Sequence, residues 1–158
     1  KYSWDYVQHR IKRERILVPL EIHYNKKTVK LDALVDTGNS LRDPLTNVPV
    51  IVAEYEGICE LLPVEIRKVF EQNRENDLKA IAEVMSASGH ITRFRLIPFK
   101  SLGRENGMLI GFKPDLAVIM DNERKITLES VIIGVYTKSL SRDGEYNALI
   151  HPDMLKNE

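Results

Sequence analysis

Residues 33–40 read Ala-Leu-Val-Asp-Thr-Gly-Asn-Ser, and this stretch decides how the rest of the chain is interpreted. Aspartate is depleted in β-strands, so Asp36 after the apolar residues 33–35 indicates the end of a strand. Gly38 has no side chain and lets a second backbone approach the turn closely. Taken alone, Asp-Thr-Gly is most simply explained as an Asx-type turn, and only its surroundings favour a functional site.

Two segments with alternating apolar residues precede this turn. Residues 16–24 and 28–35 each predict a β-strand, and Asn25-Lys26-Lys27 between them predicts a tight turn. The predicted buried faces carry Leu20, Ile22 and Tyr24 on the first strand and Val29, Leu31, Ala33 and Val35 on the second. The sequence therefore predicts a hairpin whose second strand delivers Asp36 at its end.

A hairpin that leads into an apolar-apolar-Asp-Thr-Gly turn resembles the start of retropepsin-type aspartic proteases. The longer pattern resembles the sporulation sigma-E factor processing peptidase (SpoIIGA) family of spore-forming bacteria. That pattern is Asp-Thr-Gly-Asn-Ser-Leu at 36–41, Asp43-Pro44, Pro-Val-Ile-Val at 49–52 and Ala-Leu-Ile-His-Pro-Asp at 148–153. The resemblance covers nearly the whole chain. It implies a mainly β fold: a retropepsin-like closed β-barrel half-site with a helical insertion at about residues 57–85 and a short C-terminal helix.

The resemblance implies an aspartic endopeptidase of sporulation that removes an N-terminal propeptide from pro-sigma-E. Two carboxylates that share one proton can activate a water and protonate the scissile carbonyl. The chain holds one Asp-Thr-Gly, so Asp36 would be the catalytic residue of each chain in a homodimer.

The neighbours of Asp36 would support it. By resemblance, Thr37 would hydrogen-bond to the partner chain, and the Gly38 amide would orient the carboxylates. Asn39 departs from the usual Ala, Ser or Thr after the glycine, and we expect its amide to donate to the outer carboxylate oxygen. Ser40 is expected to act similarly.

Two alternatives stay open at this point. The chain could be a non-catalytic retropepsin-like dimerisation or binding module, although an intact Asp-Thr-Gly argues against it. It could also be a single-chain enzyme in which Asp36 pairs with Asp115 or Asp121, although neither lies in an Asp-Thr-Gly context.

The small residues Ser86, Ala87, Ser88, Gly89 and His90 predict a turn before an alternating segment at 91–98. In a retropepsin-like order this hairpin would be the flap that closes over substrate, and the alternative is a plain surface hairpin. The resemblance to retropepsin-type enzymes also implies a late apolar element that braces the Asp36 turn. Residues 132–134 and 148–151 both fit, and the second is preferred because a helix start follows it.

Composition limits the remaining functions. The 158 residues suit one domain. The resemblance implies that 1–15 is a basic linker from a missing membrane region and that 16–158 is the protease domain. A formal net charge of zero gives no sign of nucleic-acid binding, and four scattered histidines predict no metal site and no cofactor.

The sequence and the resemblance together give a location and partners. No run is apolar over the roughly 20 residues of a membrane helix, so the fragment itself is expected to be soluble. One cysteine suits a reducing compartment. The resemblance places the full protein at the cell membrane, with this domain facing the cytoplasm. Its expected partners are a second copy and the pro-sigma-E substrate, and an activating signalling protein is left open.

Overall fold

The computed structural model describes residues 15–89, 92–100 and 106–156. Its strands are β1 Leu17–Tyr24, β2 Lys27–Val35, β3 Val50–Glu54, β4 Phe94–Lys100, β5 Asn106–Phe112, β6 Leu116–Asp121, β7 Arg124–Leu128, β8 Ile132–Tyr136 and β9 Ala148–Ile150. Its α-helices are α1 Tyr55–Ile58, α2 Val64–Glu71 and α3 Leu78–Ser88, with 3₁₀ helices at Cys59–Leu61 and Pro152–Lys156. The predicted linker at 1–15 lies almost wholly outside the described residues.

The β1–β2 hairpin forms as the alternation predicts. The two strands pair from Leu17↔Leu34 to Tyr24↔Lys27. Asn25 and Lys26 form the turn with φ values of 52° and 67°, the left-handed pair that suits a two-residue hairpin. Both predicted faces are buried, except that Val35 at the strand end is half-buried. Asp36 therefore directly follows β2, at the end of the hairpin that lies opposite the Asn25-Lys26 turn.

The strands form one sheet in the order β4-β5-β8-β3-β9-β2-β1-β6-β7. The mainly β prediction is confirmed. Among the described residues β4 and β7 each pair on one side only, so the sheet is open, as in a half-barrel, and the expected closure is not seen. The short strand β9 lies between β2 and β3, parallel to the first and antiparallel to the second. It therefore joins the strand before the Asp36 turn to the strand after it.

Helices follow β3, as the predicted insertion at 57–85 requires. Helix α2 buries Ile66, Val69 and Phe70, and the Phe70 ring stacks on Tyr55 with centroids 4.8 Å apart. The predicted short C-terminal helix is present as the 3₁₀ helix Pro152–Lys156, which buries Met154. In the described part of the chain, no helix is long and apolar enough to cross a bilayer.

The predicted turn at Ser86–His90 is wrong for the residues that the structure describes. Ser86, Ala87 and Ser88 form the last turn of α3, and Gly89 follows as its cap with φ +73°. The physical reason is that these small residues continue the helical spacing begun at Leu78, and a left-handed glycine ends a helix as readily as it makes a hairpin turn. His90 lies outside the described residues. The hairpin of this region is β4–β5, further along the chain.

Candidate active site

The Asp36 turn, residues 36–40, is held by backbone hydrogen bonds on both sides. The Val35 amide donates to the Ile16 carbonyl (2.9 Å), and the Asp36 amide donates to the Ile150 carbonyl (2.8 Å). Within the turn, the Gly38 amide donates to Asp36 Oδ1 at 2.9 Å. Asp36 is half-buried, whereas Thr37 and Gly38 are exposed. The turn thus holds the Asp36 carboxylate in a fixed orientation, partly exposed to solvent, just after the end of β2.

The sequence led us to expect that the Asn39 amide donates to the Asp36 carboxylate, but its partners are backbone carbonyls. It is 8% exposed, and its Nδ2 donates to the carbonyls of Val50 and Leu149, each at 3.1 Å. These bonds use both donors of a side-chain amide, so the expectation of a bond to Asp36 is wrong. Asn39 instead fastens the turn to β3 and β9. Ser40 is exposed.

The late brace of the turn is Ala148–Ile150, the preferred of the two stretches. This strand pairs with residues 33–35 of β2 and accepts the Asp36 amide. Gly134 lies instead in β8, where it pairs with Val52 and Gly111. His151 Nδ1 accepts from the Asp153 amide at 3.1 Å, so His151 helps to start the terminal 3₁₀ helix.

A cavity of about 570 Å³ opens beside the turn. Phe99 and Leu109 of the β4–β5 hairpin contribute to its wall, and Asp36 is the one carboxylate among the described residues that line it. The other lining residues are Gly38, Asn39, Ser40, Leu41, Arg42, Val52, Tyr136, Leu140 and Leu149. Ser86, Ala87 and Gly89 do not line this cavity. The β4–β5 hairpin, and not the segment 86–89, therefore lies beside the Asp36 turn.

Neither alternative intramolecular partner lies near Asp36. Asp115 accepts from Arg93 Nη2 and from the Asn25 amide, each at 2.8 Å. Asn25 is at the turn of the β1–β2 hairpin, and strand β2 spans about 30 Å from there to Asp36 at 3.3–3.4 Å per residue. The Arg93 hydrogen bond also lowers the pKa of Asp115. Asp115 is thus an ion-pair partner at the far end of the hairpin.

Asp121 is excluded by sheet geometry as well. It pairs with Arg124 at 3.2 Å and ends β6, which β1 separates from β2. The two inter-strand spacings between β6 and β2 separate Asp121 from Asp36 by roughly 10 Å across the sheet. That distance is too large for the two carboxyls to share a proton. The single-chain pairing is therefore contradicted by the structure.

Asp43 is a residue whose burial the sequence did not reveal. It is 1% exposed and accepts from Thr46 Oγ1 (2.8 Å), the Leu45 amide (3.2 Å) and Arg95 Nη1 (2.5 Å). Burial alone would raise the pKa of Asp43, but these hydrogen bonds and the Arg95 charge together hold it below its usual range. Asp43-Pro44 is ordinary turn chemistry in the sequence, and only the fold brings Arg95 to it.

The described residues offer no metal site. Among residues 15–89, 92–100 and 106–156, no three His, Cys, Asp or Glu side chains lie together in a way that could hold an ion.

Comparison with known proteins gives the family. A family model described as Sporulation factor SpoIIGA matches residues 1–154. The chain belongs to the SpoIIGA family. No solved structure matches it.

Two relatives show how this SpoIIGA chain compares in length. The sporulation sigma-E factor-processing peptidase of Bacillus subtilis (strain 168) is 32% identical over 145 residues, which cover 92% of this chain and 46% of that protein. A protein of Bacillus thuringiensis subsp. kurstaki is 34% identical over 139 residues, which cover 88% of this chain and 84% of that protein. The SpoIIGA chain thus spans about half of the Bacillus subtilis relative.

Proposed function

We propose that this chain is the catalytic part of an aspartic endopeptidase that removes an N-terminal propeptide from pro-sigma-E. The observation that carries the proposal is the Asp36 turn itself. A half-buried carboxylate, oriented by the Gly38 amide at 2.9 Å, faces a cavity of peptide-binding size. The name of the Bacillus subtilis relative, a sporulation sigma-E factor-processing peptidase, supports a peptidase that acts on the sigma-E factor.

The proposed chemistry needs a second carboxylate, and a second copy of the chain supplies it. In the part of the chain that the structure describes, only Asp36 adds a carboxylate to the cavity lining, and one group cannot both take a proton from water and give one to the substrate at the same moment. Exposed residues beside Asp36 offer a face for the partner: Ile16 and Leu17 are 51% and 38% exposed, and Thr37 is also exposed. A two-fold axis through this face brings the two Asp36 side chains together.

In the proposed dimer the two Asp36 carboxyls hold one proton and one water between them. The ionised carboxylate takes a proton from the water, which attacks the scissile carbonyl, and the other carboxyl protonates the carbonyl oxygen. The carboxyl that took the water proton then gives it to the amide nitrogen of the tetrahedral intermediate, the other carboxylate takes a proton back from the hydroxyl formed on the carbonyl oxygen, and the peptide bond breaks. The substrate lies extended between the Asp36 turn and the β4–β5 hairpin, where Phe99 and Leu109 contact its side chains.

Tethering would govern how the dimer forms. We infer that the full protein is held at the membrane, where the basic segment 1–15 meets anionic headgroups. Two copies in one plane have a raised effective concentration. The isolated chain accordingly dimerises weakly, and its activity per molecule rises with concentration. An activating protein would act by favouring the same dimer.

Substitution of Asp36 tests the proposal. Asp36→Asn keeps the shape of the side chain but removes the carboxylate, so pro-sigma-E should stay uncleaved while circular dichroism and thermal unfolding match the wild type. Thr37→Ser is the matched control and should retain cleavage. A non-catalytic binding module predicts the opposite result: wild type and Asp36→Asn would both leave pro-sigma-E intact and bind it equally.

A further inference from the structure

A buried ion pair links the polypeptide just after the Asp36 turn to the β4–β5 hairpin. Asp43 lies in the 41–49 loop, and Arg95 lies on β4. Their atoms Oδ2 and Nη1 are 2.5 Å apart, and the side chains are 1% and 25% exposed. Nothing in the proposed chemistry uses this pair directly.

Backbone hydrogen bonds hold the 41–49 loop, which carries Asp43, in place. The Asp43 amide donates to the Val48 carbonyl (2.9 Å), the Asn47 amide to the Asp43 carbonyl (2.8 Å), and the Val50 amide to the Leu41 carbonyl (3.0 Å). The side chain of Asn39 binds the Val50 carbonyl at the end of the same loop. The position of Asp43 is therefore fixed relative to the Asp36 turn.

The β4–β5 hairpin is joined to the rest of the sheet by backbone pairing over only part of its length. Strand β4 is the edge of the sheet, and β5 joins the sheet by pairing of residues 110–112 with residues 133–135 of β8. Residues 107–109 pair only with β4 among the described strands. Arg95 pairs with Gly111, which is one of the β5 residues that also pair with β8. The ion pair thus acts near the point where the backbone pairing to β8 ends, and beyond that point Ile97 and Leu109 hold the hairpin by side-chain packing.

One face of β4 connects the ion pair to the cavity. Alternation places Arg95, Ile97 and Phe99 on the same face of the strand. Ile97 is fully buried in a small apolar cluster with Val50, Val52, Leu109 and Ile132, and Phe99 lines the cavity beside Asp36. Four residues of strand span about 13 Å, so a 5° change in hairpin angle at Arg95 moves Phe99 by roughly 1 Å. A displacement of about 1 Å can cost a catalytic site about 100-fold in rate.

We propose that the Asp43–Arg95 pair is a positioning element that sets the angle of the β4–β5 hairpin over Asp36. The effect on cleavage rests on the proposed function, whereas the effect on the hairpin does not. Asp43→Asn is the informative variant, because asparagine keeps the shape and can still accept from the Leu45 amide while it loses the charge.

The test compares Asp43→Asn with Asp115→Asn, a matched control that weakens another Arg–Asp pair at the base of β4 without touching the 41–49 loop. In the 158-residue chain, Asp43→Asn should accelerate amide hydrogen exchange at least tenfold at residues 96, 97, 99 and 107–109, with no change in β1 and β2. It should lower kcat/KM by about 10- to 100-fold. Asp115→Asn should do neither.

A second comparison separates positioning from general destabilisation. The double variant Asp43→Asn/Arg95→Gln should have the same kcat/KM as Asp43→Asn, because both substitutions remove the same ion pair. Arg95→Lys keeps a charged donor and should recover part of the rate lost in Arg95→Gln at equal thermal stability. Unchanged hairpin exchange in Asp43→Asn overturns the proposal, whatever the activity. If the wild type cleaves nothing at concentrations where it is dimeric, the proposed function fails, and the exchange result still decides the role of the pair.

Discussion

Replacement of Asn39 by alanine should destabilise the fold rather than tune the carboxylate. Asn39→Ala removes two hydrogen bonds of 3.1 Å and leaves the Val50 and Leu149 carbonyls without that donor. A buried hydrogen bond contributes about 1 kcal/mol net, and unsatisfied partners add to the loss, so we expect the free energy of unfolding to fall by about 2–3 kcal/mol. For a chain of this length that corresponds to a fall in Tm of roughly 5–10 °C.

Urea denaturation followed by circular dichroism measures this loss. The m-value should stay constant while the midpoint falls. Ser40→Ala, a change at the exposed neighbour, is the control and should shift the free energy of unfolding by less than about 0.5 kcal/mol. Asn39→Asp should be at least as harmful as Asn39→Ala, because a carboxylate would face two carbonyl oxygens. If Asn39→Ala were as stable as the wild type, the bracing role assigned to Asn39 would be wrong.

Three further predictions follow from the same geometry. Because the folded pKa of Asp43 is depressed, its ionised form adds stability above the unfolded pKa of about 3.9, and this stability is lost as pH falls towards the folded value. Urea midpoints from pH 7 to pH 2 should therefore fall less steeply in Asp43→Asn. Gly38→Ala would place a Cβ 3.2 Å from Asp36 Oδ1, so cleavage should fall by about tenfold or more, with little change in the urea midpoint. A bound peptide analogue should slow amide hydrogen exchange at residues 96, 97, 99 and 107–109 and leave exchange at Ser86–Ser88 unchanged. The reverse pattern would assign the flap to residues 86–88.

The parts of the fold that follow from short-range patterns could be predicted from the sequence. The alternation of apolar residues in 16–35 fixes which faces of β1 and β2 are buried, and Asp36 ends β2 as its residue type suggests. The resemblance to a known family led to Ala148–Ile150 as the brace of the Asp36 turn. The structure shows the reason, since β9 lies between β2 and β3.

The parts that failed depend on contacts that sequence does not display. Ser86-Ala87-Ser88 suits either a turn or the end of a helix, and the packing of α3 decides for the helix. Asn39 carries the same amide whether it binds a carboxylate or backbone carbonyls, and only the approach of β3 and β9 selects the carbonyls. Asp43 gives no local sign that Arg95, distant in sequence, will meet it.

The central claim is that two chains each contribute Asp36 to one site, and a tandem fusion tests it most directly. Two copies joined by a flexible linker raise the effective concentration of the partner, so a wild-type fusion should cleave pro-sigma-E at concentrations where the single chain is inactive. A fusion in which one copy carries Asp36→Asn should lose cleavage to the level of the doubly substituted fusion. Retention of half the wild-type rate at the same low concentration would show that each chain works alone, which would contradict the shared site.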